Sequence, residues 1–202
     1  MLQTSASSDP SDQIAATTRG VHHLELNTDD MKTTADFYTE VLGMPLIYAS
    51  RVPPGLGTGP ANRGNPPFEN IRHYFFDMGN DSILGFFEIP KGAKPKGDRD
   101  AIGTMQHVSF AVNNAGADDL MRRLKAHGVQ MHGPVEAIPG LMSVYFYDPN
   151  GIRLEFSWRP LDGDEVHVID LIRTDRTSSM DELRTLHDDP AWVERISSAI
   201  PD

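Results

Sequence analysis

Two segments of the chain share one pattern of apolar and polar positions. Each begins with an alternating strand, continues with apolar side chains at the helical i, i+4 spacing, and ends with three more strands. In the first segment the strands are predicted at 21–27, 46–51, 71–77 and 82–89, and the helix at 31–42. In the second the strands are predicted at 106–112, 129–132, 142–147 and 152–158, and the helix at 117–126. Both segments are therefore predicted to be βαβββ modules.

Helix-end signals support this repeat. Asp29 or Asp30 can cap the first helix, and Gly43 and Gly128 stand where a helix end favours positive φ. Gly43 follows His23 by 20 residues, and Gly128 follows His107 by 21. The pattern indicates an internal duplication and an α+β fold. In that fold the two βαβββ modules form a curved mixed sheet, with a helical C-terminal extension.

The remaining segments complete the predicted organisation. We expect a flexible N-terminal segment at 1–20, modules at 21–90 and 105–159, a linker at 91–104 and the extension at 160–202. Within the first module, residues 52–70 contain five Pro and four Gly, which is typical of a lid over a site or of a disordered loop.

The extension is predicted to contain two helices. A capping-box pattern at Ser179 predicts a helix to about His187, and a second helix is predicted at 191–200 with Trp192 as its apolar anchor. We expect these helices to pack on the modules or on a second subunit, so a homodimer is among the expected assemblies.

The amino-acid composition limits which metal ligands and which partners the chain can have. The chain has no cysteine, so a metal site must use imidazole and carboxylate ligands. The net charge of −11 argues against nucleic acid and anionic membranes as partners. No segment has the pattern of a secretory signal or a membrane span, and a cytoplasmic protein is expected.

The alternation of apolar and polar residues in the strands identifies three candidate metal ligands: His23, His107 and Glu155. Each lies on the polar side of a strand whose other side is apolar. If these polar faces curl toward each other, two imidazoles and a carboxylate form a divalent-metal site. A single histidine on such a face is usually only solvated, and the matching histidines of the two modules favour the metal site.

Glu88 is a fourth candidate. It lies near the end of the last strand of the first module, much as Glu155 lies in the last strand of the second. Either Glu88 joins the metal ligands, or it ends its strand beside Pro90 and faces water.

Several stretches resemble the vicinal-oxygen-chelate superfamily, which includes glyoxalase I, extradiol dioxygenases, methylmalonyl-CoA epimerase, and the bleomycin- and fosfomycin-resistance proteins. The stretches that carry the resemblance, which spans residues 21 to 159, are 22–26, 37–44, 105–110 and 145–156. The resemblance implies that His23, His107 and Glu155 are the shared metal ligands. It also implies that Glu88 matches the fourth ligand of glyoxalase I, and that Tyr145 matches an active-site tyrosine of extradiol dioxygenases.

The resemblance implies that the two modules form their curved mixed sheet around a metal cavity. It implies an enzyme that holds one divalent ion (Fe, Mn, Ni, Co or Zn) and binds a small substrate through two adjacent oxygens. Glyoxalase-type proton transfer, by a lyase or isomerase with Glu88 or Glu155 as the base, is the favoured reaction. The alternatives are an O2-dependent extradiol-type dioxygenase with an iron or manganese site, and a non-catalytic binding protein of the bleomycin-resistance type.

Two departures from the family pattern affect this choice. Asn27 stands where glyoxalase I has a glutathione-binding arginine, and the acid–base histidines of extradiol enzymes have no match. His73 is either a substitute base or a strand residue with no catalytic role.

Overall fold

The computed structural model describes residues 18, 20–53, 71–92, 94–160, 172, 174–198 and 200. Residues 54–70 of the predicted lid, nearly all of the N-terminal segment and residues 161–171 of the extension lie outside the described residues. The chain divides into one unit of residues 21–166 and another formed by residues 1–20 with 167–202. The two units are described separately.

The first module has the predicted order of elements. Its elements are β1 (His23–Thr28), α1 (Met31–Asp36), a π-helical segment (Phe37–Val41), β2 (Leu46–Arg51), β3 (Arg72–Gly79) and β4 (Ser82–Glu88). They form a four-stranded sheet of order β1-β4-β3-β2, in which β1 and β4 run parallel and the other neighbours antiparallel. The backbone N–H of Val52 donates to Ile71 O at 3.0 Å, so the two ends of the predicted lid meet beside this sheet.

The helix of the first module changes from α-helical to π-helical hydrogen bonding partway along its length. Asp30 caps α1 by accepting from the backbone N–H of Thr33 at 3.0 Å. After Asp36 the chain continues as a π-helix, and the N–H of Leu42 donates to Phe37 O at 3.2 Å. Gly43 follows with φ 72°, as its position after the helix predicts. The prediction of one regular helix from Met31 to Leu42 is therefore corrected to two helical types.

The second module repeats this layout. Its elements are β5 (Val108–Ala111), α2 (Asn114–Ala126), β6 (Met131–Ile138), β7 (Leu141–Tyr147) and β8 (Arg153–Trp158), in the sheet order β5-β8-β7-β6. β6 extends beyond the predicted His132, because its pairing with β7 continues to the Pro139-Gly140 turn between Ile138 and Leu141.

One hydrophobic core joins both modules. It contains helix residues such as Tyr38 and Leu124, together with the apolar faces of both sheets, including Phe86 and Phe156. The polar face of each sheet therefore points away from the shared core. The fold class of two βαβββ modules is confirmed, but the strands form two four-stranded sheets and not one continuous curved sheet.

The C-terminal unit contains α3 (Arg176–Leu186) and α4 (Pro190–Ser197). The start predicted at Ser179 is wrong, because Asp175 caps α3 by accepting from the backbone N–H of Ser178 at 2.8 Å. Asp189 caps α4. Among the described residues, no helix combines the length and apolarity that crossing a membrane requires.

Candidate metal site

His107 and Glu155 come together on the polar face of the second module. His107 immediately precedes β5, and Glu155 lies on the neighbouring strand β8, opposite Ser109. Parallel pairing of these strands places the Nε2 atom of His107 2.9 Å from the Oε2 atom of Glu155. Two of the predicted ligands are therefore adjacent within one chain.

The carboxyl group of Glu155 is buried but remains ionised. Its side chain is 7% exposed, and Ser157 Oγ donates to its Oε1 at 2.9 Å. Burial raises the pKa of Glu155, but hydrogen bonds from Ser143, Ser157 and Tyr145 and the nearby His107 outweigh it and hold the pKa below its ordinary value. The carboxylate is thus ionised near neutral pH and able to bind a cation.

The pair fits one divalent ion. The Nδ1 atom of His107 donates to the side-chain oxygen of Gln106, because an amide oxygen only accepts. The Nε2 lone pair then faces a carboxylate oxygen, which also only accepts, so a proton or a metal ion must lie between them. Two ligands at right angles, each about 2.1 Å from one ion, lie about 3 Å apart. That separation agrees with the observed 2.9 Å.

Tyr145 lies in the same cluster. It is paired with Glu155 across β7 and β8, and Arg153 lies over its ring at 4.4 Å from the centroid. Burial raises the pKa of Tyr145, and its hydrogen bond to Glu155 raises it further. The phenol therefore stays protonated and acts as a hydrogen-bond donor beside the pair.

His23 does not join this cluster within the chain. It is exposed at the start of β1, and its Nδ1 atom lies 2.8 Å from Nδ1 of the preceding His22. In the described part of the chain, no group of three or more His, Asp or Glu side chains is arranged to hold a metal ion. The expected convergence of all the ligands is thus not found in one chain.

Glu88 lies on the opposite side of its sheet. It shares a face of β4 with the buried Leu84 and Phe86. Its Oε1 accepts from the backbone N–H of Met31 at 3.0 Å, at the start of α1, and its Oε2 is ion-paired with Arg72. The structure therefore does not bring Glu88 to His107 and Glu155. A role for Glu88 as ligand or base remains a prediction that requires its carboxylate to leave both partners.

His73 lies on the polar face of the first module. Its Nε2 atom is 3.1 Å from Oε1 of Glu25, and its ring stacks on Phe87 with centroids 4.0 Å apart. Sequence reasoning identified His73 but gave it no partner.

Sequence reasoning also missed Gln106, Ser143 and Ser157, which surround His107 and Glu155. Ser143 and Ser157 lie two positions from Tyr145 and Glu155, so strand alternation places them on the same face. This alternation was the signal that could have found them. Gln106 directly precedes His107 and carried no comparable signal.

A cleft of about 760 Å³ lies beside both polar faces. It is bounded by residues 25–29 of β1 and its end, by linker residues 94–99 and 103–105, and by residues 150–153 at the turn before β8. It reaches the first module at Glu25 and the second at Arg153, whereas His107 and Glu155 are not among its lining residues.

Comparison with known proteins defines the class. Residues 20–156 match the family model of the Glyoxalase/Bleomycin resistance protein/Dioxygenase superfamily. The chain belongs to this superfamily. No curated protein matches the chain.

Solved structures agree on the fold. A glyoxalase/bleomycin resistance protein/dioxygenase domain from Frankia sp. is 21% identical, with a TM-score of 0.57 over 73% of this chain and 96% of its own. A glyoxalase/dioxygenase from Nostoc punctiforme is 23% identical, with a TM-score of 0.52 over 79% and 100%. A glyoxalase family protein from Enterococcus faecalis is 20% identical, with a TM-score of 0.53 over 69% and 97%. At these identities the likeness concerns the fold alone.

Proposed function

We propose that this protein is a divalent-metal-dependent enzyme that binds a small substrate through two adjacent oxygen atoms. The observation that carries the proposal is the 2.9 Å contact between Nε2 of the exposed His107 and Oε2 of the buried Glu155, whose carboxylate stays ionised. His23 is the third ligand of the proposed set, which is the two-histidine, one-carboxylate arrangement.

A second copy of the chain is proposed to supply His23. Because both modules share one core, their polar faces point away from it, and the polar face of one module can meet that of the other in a neighbouring chain. Symmetric dimers are the commonest soluble assemblies, and such a pairing would form two equivalent sites.

The favoured reaction is proton transfer in a lyase or isomerase of the glyoxalase type. When bound, the ion would act as a Lewis acid toward negative charge that develops on the chelated substrate oxygens. Tyr145 would turn its phenolic proton from Glu155 to the substrate, while Ser143 and Ser157 continue to donate hydrogen bonds to Glu155. A base on the facing module would accept the substrate proton.

The position of Glu88 supports a second candidate, an O2-dependent dioxygenase with an iron or manganese site. With its carboxylate bound to the start of α1 and to Arg72, Glu88 leaves three ligands in the proposed set. An octahedral ion then has three open positions, which are enough for a bidentate substrate and O2.

Reconstitution with single metals separates these candidates. Protein loaded with Fe2+, Mn2+, Ni2+, Co2+ or Zn2+ would be tested for solvent deuterium exchange into hydroxyacetone and for O2 uptake with catechol. Metal-dependent deuterium exchange supports the favoured reaction, and O2 uptake in the Fe2+ or Mn2+ form supports the dioxygenase. If the protein binds no metal and shows neither activity, both candidate reactions are contradicted and a non-catalytic binding protein is favoured.

A further inference from the structure

The side chain of Arg153 lies in the cluster of His107 and Glu155. It shares a face of β8 with Glu155, two residues and about 7 Å along the strand. Its guanidinium carbon is 4.4 Å from the centre of the Tyr145 ring, whose hydroxyl donates to Glu155. Its Nη1 atom is 3.5 Å from Oε1 of Gln106, the atom that accepts from His107. Arg153 thus contacts a neighbour of each of these two proposed ligands.

The guanidinium of Arg153 forms no ion pair with a carboxylate among the described residues. Its contacts there are Gln106 and the ring of Tyr145, and neither carries a negative charge. The side chain is half-buried, and burying a cation without a counter-ion costs free energy that a bound anion would recover. Acidic residues outnumber Lys and Arg by 29 to 18, so composition does not explain the missing counter-ion.

Two cations of the linker lie beside Arg153. Nζ of Lys96 donates to Pro149 O at 3.1 Å, which ties the linker to the turn before β8. The guanidinium carbon of Arg99 is 5.9 Å from the centre of the Tyr147 ring, and Tyr147 is paired with Arg153 across β7 and β8. All three cations line the cleft, so positive charge gathers at its second-module end.

The acidic residues of the cleft leave Arg153 unpaired. Two of them belong to residues 25–29, on the first-module side. Asp98, in the linker, accepts from the backbone N–H of Asp100 at 2.9 Å, and Asp100 lies 3.6 Å from Arg99. Arg99 is therefore partly neutralised, whereas within the described part of the chain Arg153 keeps its full charge.

We propose that Arg153, with Arg99 and Lys96 beside it, binds a negatively charged group of the substrate. The proposal rests on the proposed function and narrows its substrate to a small acid. Two adjacent oxygens would bind the ion, and a carboxylate or phosphate at the other end would bind the guanidinium, which donates paired hydrogen bonds to either anion. The strand spacing of about 7 Å between Arg153 and Glu155 fits a spacer of a few carbon atoms.

Isothermal titration calorimetry tests this proposal with three probes that share an α-hydroxyketone for the ion. They are δ-hydroxylevulinate, which ends in a carboxylate, its neutral methyl ester, and dihydroxyacetone phosphate. Each probe is titrated into Mn2+-loaded and metal-free protein. The variants are Arg153→Gln, the charge-conserving Arg153→Lys, and the double variant Lys96→Gln with Arg99→Gln. Arg122→Gln is the control, at a side chain that is 72% exposed on α2.

Mn2+-loaded wild type should bind one of the anions at least about 10-fold more tightly than the ester, as expected for hydrogen bonds to a charged group. The preferred anion identifies the substrate as a carboxylic acid or a phosphate. Arg153→Gln should lose the preference but keep its metal and its affinity for the ester, and Arg153→Lys should keep part of the preference. The linker double variant should weaken anion binding about 2–5-fold, because exposed charges contribute little. Arg122→Gln should match wild type.

Equal affinities of wild type for the ester and both anions, or equal anion affinities of wild type and Arg153→Gln, overturn the proposal. A loss of metal and ester binding along with anion binding in both Arg153 variants also overturns it, because Arg153 would then only support Gln106 and His107. Failure of the metal site gives a different result. Wild type would hold no Mn2+, while the metal-free protein would still bind the anions through Arg153.

Discussion

The hydroxyl of Tyr38, in the first module, donates a hydrogen bond to Oδ2 of Asp148, in the second, at 3.1 Å. Both side chains are buried, and burial raises the pKa of Asp148 although its hydrogen bonds lower it. Asn150 extends this contact by accepting from Thr28 Oγ1 at 2.7 Å. A polar network inside the shared core therefore fixes how the two modules meet.

Tyr38→Phe should destabilise the protein by about 1–3 kcal/mol, because it removes a donor from a buried carboxylate and leaves the ring in place. Urea unfolding would show a lower midpoint with an unchanged m-value. The matched control is Tyr147→Phe, at a half-exposed ring, which should change stability by less than about 0.5 kcal/mol. Equal effects of the two changes would show that the bond to Asp148 adds no stability.

The stability that Glu155 contributes should depend on pH. Its pKa in the folded protein lies below the ordinary value of 4.5, so its contribution is fully present above that value and is lost as pH falls through the folded pKa. The difference in unfolding free energy between wild type and Glu155→Gln should therefore shrink on acidification. Urea titrations of the metal-free proteins between pH 7 and 3 (a range chosen to span the carboxyl pKa values) measure this difference. Asp148 titrates in both proteins, so its contribution cancels from the difference. A difference in unfolding free energy that does not change with pH would contradict the lowered pKa of Glu155.

Mixed dimers should show that each site draws on two chains. A heterodimer of His23→Ala and His107→Ala keeps one complete site and should bind about half the metal of wild type, whereas each homodimer binds little. The control heterodimer joins His107→Ala with Glu155→Gln, which lie in the same module, and should bind little. A failure of the first heterodimer to regain metal would contradict a shared site.

Glu88→Gln should lower stability by about 1 kcal/mol, because the carboxylate accepts from the start of α1 and is ion-paired with Arg72. Thermal or urea unfolding would measure this loss, with Glu40→Gln as the exposed control. If Glu88→Gln loses its bound metal while its free energy of unfolding stays close to that of wild type, Glu88 is a metal ligand.

The sequence predicted the fold because alternation and helix-end residues are local signals. His23 and His107 stand at matching places before Gly43 and Gly128, and both modules were found from that repeat. The pairing of strands is not local, so the sequence matched Glu88 with Glu155, whereas the register matches Gly85 with Glu155. Only the strand register shows that the first module carries its carboxylate on Glu25 of β1 and has Gly85 at the position of Glu155. The π-helical turn after Asp36 left no sequence signal that we recognise.

Metal content, measured by elemental analysis, decides whether His107 and Glu155 hold an ion. Wild type and the variants His107→Ala, Glu155→Gln and Glu88→Gln would be equilibrated with Mn2+, dialysed and compared. We expect roughly one ion per chain in wild type and Glu88→Gln, and little in His107→Ala and Glu155→Gln. Equal metal in wild type and His107→Ala would contradict a metal site at His107 and Glu155.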